Sequence, residues 1–274
     1  MISFPNAKIN IGLNVLRKRE DGFHDIETIF YPLQWSDVLE IHESDKMSFR
    51  ATGKEIDGSK DENICLKAYH LLAADFDLPA VDIHLHKVVP IGAGLGGGSS
   101  DASNTLLGLN QLFELHITNA RMIGYASELG SDCTFFLSNK AAVGTSSGDQ
   151  LKVIDLDLST YSIITVYAGL HSATAGLFGE ITPATPDDVL VTHILNSPPA
   201  EWRDVVKNDF EPLVFDKYPL LQEIKNILYD LGADYASMTG SGSAVYGIFK
   251  TINVDPSRIK DLPMEGWEIF IQEI

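Results

Sequence analysis

Pro90-Ile-Gly-Ala-Gly-Leu-Gly-Gly-Gly-Ser-Ser-Asp-Ala-Ser103 is the stretch on which the reading of this chain turns. Four of its glycines fall between Gly94 and Gly98, and two hydroxyls and a carboxylate follow as a helix is expected to open near Ser100–Asp101. Glycine permits positive φ and lets the backbone approach a ligand closely. Successive amides and a helix N-terminus then face an anion. Ser99, Ser100 and Asp101 could add phosphate contacts or oxygen ligands for Mg²⁺. Gly92, Gly94 and Gly97 also satisfy a G-x-G-x-x-G dinucleotide spacing, but here it lies deep in the chain and after Pro90, not inside an opening βαβ unit. The Walker pattern fails because no lysine precedes the serine pair. A plain turn with Ser100 or Asp101 as helix cap explains a single residue. Phosphate binding explains the whole run.

Before the loop, Ile9, Ile11, Leu13 and Val15 alternate with Lys8, Asn10, Gly12 and Asn14, a strand with Lys8 and Asn10 on its polar face. Extended segments are expected around Ile26–Pro32, Val38–Ile41 and Met47–Ala51, a helix over Glu62–Phe76, and a strand carrying Val81, Ile83 and Leu85. Lys87 at its end reads as an ordinary charge, with a role near a nucleotide as the alternative. After the loop come a helix containing Leu106, Leu107 and Phe113 as core, and another over Asn119–Leu129 ended by Gly130 as a left-handed cap. The polar Thr145–Asp157 stretch marks a boundary, giving domains 1–152 and 153–274. Strands at Tyr161–Tyr167, Ala244–Phe249 and Trp267–Gln272 and a helix over Pro219–Leu231 make the second half α+β like the first. His84 and His86 share a strand face with nothing else at ligand spacing, which favours exposure over metal binding. Cys133 reads as a small buried hydrophobe.

Twenty basic against 38 acidic residues give a formal charge of −18, which argues against binding nucleic acid or an anionic membrane surface. Any polyphosphate must be held by local features. Two cysteines cannot build a disulfide framework, and no signal peptide or membrane-length apolar run is present, so a reduced cytoplasm is expected.

The glycine loop resembles the phosphate loop of the GHMP kinase superfamily. Pro5-Asn-Ala-Lys-Ile-Asn10, Asp21-Gly-Phe-His24, Leu129-Gly-Ser-Asp-Cys-Thr-Phe-Phe136, Asn208-Asp-Phe-Glu211 and Met238-Thr-Gly-Ser-Gly-Ser-Ala244 carry the likeness across residues 5 to 249. Lys8-x-Asn10 with Gly22-Phe-His24 resembles the members that phosphorylate a cytidine-diphosphate-linked methylerythritol in the non-mevalonate isoprenoid route. The resemblance implies a two-domain α+β fold, with an N-terminal ribosomal protein S5 domain 2-like part and a C-terminal ferredoxin-like part. It implies ATP and Mg²⁺ as cofactors and a small-molecule acceptor meeting ATP in an interdomain cleft. A monomer or weak homodimer is expected, with no nucleic acid or membrane partner.

By the same resemblance, Lys8 and Asp132 are the catalytic pair, Asp132 taking the acceptor hydroxyl proton. Pro90, Gly92, Gly94, Leu95, Gly96, Gly97, Gly98, Ser99 and Ser100 hold the ATP phosphates, and Asn63 lies beside the adenine. Phe23 and His24 hold the cytosine, Phe178 stacks, Asn10 contacts the acceptor, and Gly240 and Ser241 belong to the loop that closes over the site. Phe23 and Phe178 stand where tyrosine is usual, Thr239 where serine is common, and Ser146-Ser-Gly-Asp149 replaces a usual G-R-G-E turn. Three rivals remain at this point: a GHMP kinase for mevalonate, homoserine or a sugar; a nucleotide-binding sensor without catalysis; and a Rossmann dehydrogenase.

Overall fold

The computed structural model describes residues 1–59, 62–171, 174–184, 190–250 and 266–273. The chain opens with β1 (Ile2–Ser3), β2 (Asn6–Lys18), β3 (His24–Ser36), β4 (Val38–Glu43) and β5 (Ser48–Gly53). Next come α1 (Ile64–Ala73), β6 (Val81–Lys87), α2 (Gly97–Leu112), α3 (Asn119–Leu129) and α4 (Cys133–Ser138). The hairpin β7 (Ala142–Thr145) and β8 (Gln150–Val153) precedes β9 (Tyr161–Tyr167), α5 (Thr174–Glu180) and α6 (Leu190–Asn196). Then follow α7 (Glu211–Lys217), α8 (Pro219–Asp230), β10 (Tyr235–Met238), β11 (Val245–Lys250) and β12 (Glu268–Glu273). The contacts divide the chain into two compact units. The first comprises Met1–Lys8, Pro32–Ile91 and Gly96–Lys140; the second comprises Ile9–Tyr31, Gly92–Leu95 and Ala141–Ile274.

In the first unit a four-stranded sheet runs in the order β1-β4-β6-β5, with β4 antiparallel and β5 parallel to β6. Its register places Leu39 against Leu85 and Ile41 against Ile83. These side chains form one apolar face, as period-2 alternation requires. Helices α1, α2 and α3 cover that face, contributing Ala68, Leu72, Leu106, Leu109 and Met122 to one core. The buried Ala102, Leu106 and Leu109 keep helical spacing along α2.

In the second unit an antiparallel sheet runs β10-β11-β9-β12. Leu221, Ile224 and Leu228 form a single stripe of α8 packed with Val166, Val245 and Met238. A third sheet, ordered β2-β3-β7-β8, pairs Thr28 with Gly144 and Phe30 with Ala142.

Three sequence expectations change here. Helix α2 begins at Gly97, so both Gly97 and Gly98 lie in its first turn rather than in a preceding loop. Gly130 is extended, at φ 162° and ψ 156°, and not a left-handed cap. Its carbonyl accepts from Cys133 N at 3.1 Å and starts the next turn at once, leaving no room for a reversal. The Thr145–Asp157 stretch contains a strand, β8, whose polar residues pair with β7 at a sheet edge.

Candidate active site

Lys8 projects from β2 and is only 3% exposed, so the polar face inferred for this strand is itself buried. Its Nζ lies 3.3 Å from Asp132 Oδ2, and the carboxylate side chain remains 29% exposed. Asp132 immediately precedes α4, placed there by the short Gly130–Cys133 turn. The lysine stem runs against Gly96. A Cβ at that position would come within 3.0 Å of Lys8 Cε and 3.0 Å of Phe136 Cζ, and φ there is +70°. Glycine is therefore required for both the backbone conformation and the passage of Lys8.

Gly96 is also the N-cap of α2 and provides no side chain to its first turn. Ser100 N bonds back to Gly96 O at 2.9 Å, so the intrahelical ladder starts there and the amides of the preceding turn take no part in it. A partial positive charge at that turn suits a phosphate. Gly98 is exposed and Ser99 half-buried, whereas Ser100 is fully buried. Asp101, read from sequence as a possible Mg²⁺ ligand, is 2% exposed and donates nothing to that surface. Its carboxylate accepts from Lys87 Nζ at 2.7 Å. Pro90 is buried beside the strand end, and Asn63 caps α1 by accepting from Cys65 N at 2.9 Å.

The second unit organises the other half of the predicted residues. Thr239, fully buried, accepts from Asn10 N at 3.0 Å and donates to Gly94 O at 3.1 Å. A Cβ on Gly94, at φ +76°, would collide with the Thr239 carbonyl. Ala244 N donates to Ala93 O at 3.0 Å, and Leu95 is 1% exposed. The Asn10 side chain donates to Thr28 Oγ1 at 3.1 Å. Asn208 donates to Met238 O and Gly240 O, each at 2.8 Å. Glu211 accepts from Ser237 Oγ at 3.0 Å and Met238 N at 2.8 Å. The Asn208–Glu211 run thus braces the Met238–Ser243 loop, in which Ser241 is half-buried. Sequence reasoning noticed both runs as motifs and missed that one supports the other. No local pattern encodes a contact 30 residues distant.

Of the three rings assigned to one base, two meet. His24, 7% exposed, stacks on Phe178 with centroids 5.1 Å apart and planes at 25°. Phe178 in turn meets Phe210 edge-on at 4.8 Å. Phe23 stands 64% exposed, its amide bonded to Asp21 Oδ1 at 3.0 Å. His84 Nε2 and His86 Nδ1 each lie 2.9 Å from Thr52 Oγ1. Among the described residues no group of three or more His, Cys, Asp or Glu side chains could hold a metal. Burial pushes the Cys133 thiol up to about 11, as its reading as a hydrophobe requires. Among the described residues no helix is long and apolar enough to cross a membrane.

Two family models match: GHMP kinases N terminal domain over residues 63–140 and GHMP kinases C terminal over residues 194–255. With its two α+β units, uncapped glycine helix and lysine–aspartate pair, the chain belongs to the GHMP kinase family. Within that family it is 45% identical to a Bacteroides fragilis protein named 4-diphosphocytidyl-2-C-methyl-D-erythritol kinase, over 91% of this chain and 92% of the relative. It is 46% identical to the protein of that name from Cytophaga hutchinsonii, over 92% and 93% of the two chains. A crystal structure of 4-(cytidine 5'-diphospho)-2C-methyl-D-erythritol kinase superposes with TM-score 0.83 at 29% identity, covering 99% of this chain and 98% of the other.

Proposed function

We propose that this chain transfers the γ-phosphoryl group of ATP to the 2-hydroxyl of 4-diphosphocytidyl-2-C-methyl-D-erythritol, within the non-mevalonate route to isoprenoid precursors. The observation that carries the reading is the Lys8–Asp132 pair at 3.3 Å beside Gly96, the residue that opens α2. Phosphoryl transfer asks the protein for positioning, charge neutralisation and a group that orients the hydroxyl. Asp132 accepts the hydroxyl proton as the oxygen attacks phosphorus. Lys8 fixes the carboxylate and offsets charge on the attacking oxygen and the transferring phosphoryl.

The phosphates take the amides and hydroxyls of Gly92, Gly94, Leu95, Gly96, Gly97, Gly98, Ser99 and Ser100, with Asn63 and Pro90 on the nucleotide side. Asn10, Phe23, His24, Phe178, Gly240 and Ser241 serve the acceptor. Mg²⁺ enters as part of the substrate Mg–ATP. Mg²⁺ prefers phosphate oxygens and keeps several waters. The enzyme works in the cytoplasm as a monomer or weak homodimer.

An ADP-release assay across a panel of alcohols tests this reading. ADP should appear with the cytidylylated methylerythritol and not with mevalonate, homoserine or uncytidylylated methylerythritol. Comparable turnover on any of those three refutes it.

A further inference from the structure

Beneath the first turn of α2 lies a second ionic group that the mechanism above does not use. Lys87, at the end of β6, donates to Asp37, in the connection from β3 to β4, and to Asp101 of α2 at 2.7 Å. Asp37 Oδ1 also accepts from Val88 N at 2.5 Å and Val89 N at 2.8 Å. The three side chains are 3%, 0% and 2% exposed, and Asp101 Oδ1 has no hydrogen-bond partner among the described residues. Fully ionised, the triad carries a net charge of −1 in the core. Well-packed apolar residues of similar volume are often as stable as a buried ionic group or more so, so the triad is weak evidence of a stabilising role.

Its location points to a different role. A Cβ added to Gly97 would lie 2.9 Å from Lys87 Nζ and 3.2 Å from Val89 Cγ1, so the ammonium sits directly under the first turn of α2. Asp101 anchors that turn from within the helix, while Asp37 anchors Lys87 and the two amides that follow it.

We infer that Asp37, Lys87 and Asp101 are positioning residues for phosphoryl transfer: they clamp the first turn of α2 to the end of β6 and fix where its amides hold the γ-phosphate. The inference rests on reading that turn as the ATP phosphate site. Sideways freedom of even an ångström at a reacting group costs about 10²-fold in rate.

The test compares the parent with Lys87→Met/Asp101→Leu, which removes the buried pair and leaves Asp37 its two backbone amides. Lys87→Arg keeps the charges but places a larger head under Gly97. Thermal melts, calorimetry with Mg–ATP and with acceptor, and turnover per folded molecule are read on each. The double variant should melt lower than the parent, because buried Asp37 keeps its two amides and loses its counter-charge; per folded molecule it should lose about 10²-fold in kcat, bind Mg–ATP more weakly and bind acceptor unchanged. Lys87→Arg should melt slightly lower, its larger head being forced into a packed site, and lose turnover in part, and it decides the matter if the double variant fails to fold. A folded variant with parental kcat and Mg–ATP affinity overturns the inference, as does a change confined to melting temperature. Failure of the parent itself to bind Mg–ATP would instead remove the phosphate site, and the clamp with it.

Discussion

Two lysine–aspartate groups flank the start of α2 in the first unit, and they differ chiefly in access to water. Lys8 and Asp132 are 3.3 Å apart, with the carboxylate side chain 29% exposed. Lys87 and its two aspartates are 3% exposed or less. A carboxylate that takes a proton from a bound alcohol and later releases it needs contact with the site. A carboxylate sealed beneath a helix can only hold its neighbours. Residue type does not separate the two groups, because each is a lysine with aspartate. Burial does. In the buried group the desolvation penalty is large, and only close partners offset it.

The largest effects should come from the exposed pair. Asp132→Asn keeps the shape and removes the proposed base, and turnover should fall by roughly 10²–10⁴, the usual scale for general-base loss. Mg–ATP affinity by calorimetry should barely change. Lys8→Met should behave similarly. Combined, the two should cost less than the product of the single losses, because they act as one unit. Near-normal turnover in Asp132→Asn would erase the contrast between the two groups and leave the reaction to positioning alone.

Gly96→Ala should come next. The added methyl meets Lys8 and Phe136 at 3.0 Å and forces a left-handed backbone onto alanine. Turnover should drop about 10²-fold through displacement of Lys8, with Mg–ATP binding weakened as well. Full activity would show that Lys8 does not need its present path.

Base recognition should be selective and smaller. His24→Ala removes one ring of the His24–Phe178 stack. Stacking on a base is worth about 1–3 kcal/mol, so acceptor KM should rise about tenfold or more while Mg–ATP affinity holds. It should also narrow the preference for cytidine over uridine analogues, since stacking cannot read the exocyclic amino group and a hydrogen bond can. Phe23→Tyr should be nearly silent, the exposed ring having room for a hydroxyl. A lower melting temperature with an unchanged cytidine-to-uridine ratio of kcat/KM would reduce His24 to a structural residue.

Much of this was legible in the residue order. Alternation located β6, and helical spacing located α1, because each buries one side and shows the other to water. Alternation also located β2, although both of its faces are buried. The glycine loop and the Lys8-x-Asn10 motif pointed to the residues the structure organises. Local pattern fails where tertiary contact decides. Lys87 looked like a surface charge because its partners, Asp37 and Asp101, lie 50 and 14 residues away. Gly130 looked like a left-handed cap because glycine usually is one after a helix, yet the immediate onset of α4 demands an extended residue there. β10 was passed over because Tyr235–Met238 is short and carries no alternation, all four residues being buried between neighbours.

The last effect concerns the buried triad and is read as stability against pH. Burial pushes the Asp101 carboxyl up from its ordinary value to about 7, with Asp37 adding to the rise and Lys87 opposing it. Between about pH 4 and 7 the unfolded chain has already released this proton while the folded chain keeps it. The folded state therefore binds more protons, and stability from this group falls as pH rises through the window, by at most about 1.4 kcal/mol per unit. Below the window the carboxyl is protonated in both states; above it, ionised in both. Lys87, whose pKa is raised by its two aspartates, stays charged throughout. Asp101→Asn keeps an oxygen for Lys87 and cannot ionise, so its stability relative to the parent should climb from about pH 4 to 7 and then level off. Urea melts on parent and variant at closely spaced pH values measure this directly. A parallel pair of curves would mean that Asp101 ionises in the folded chain as readily as in the unfolded one, and that the sealed group is not energetically distinct from the open one.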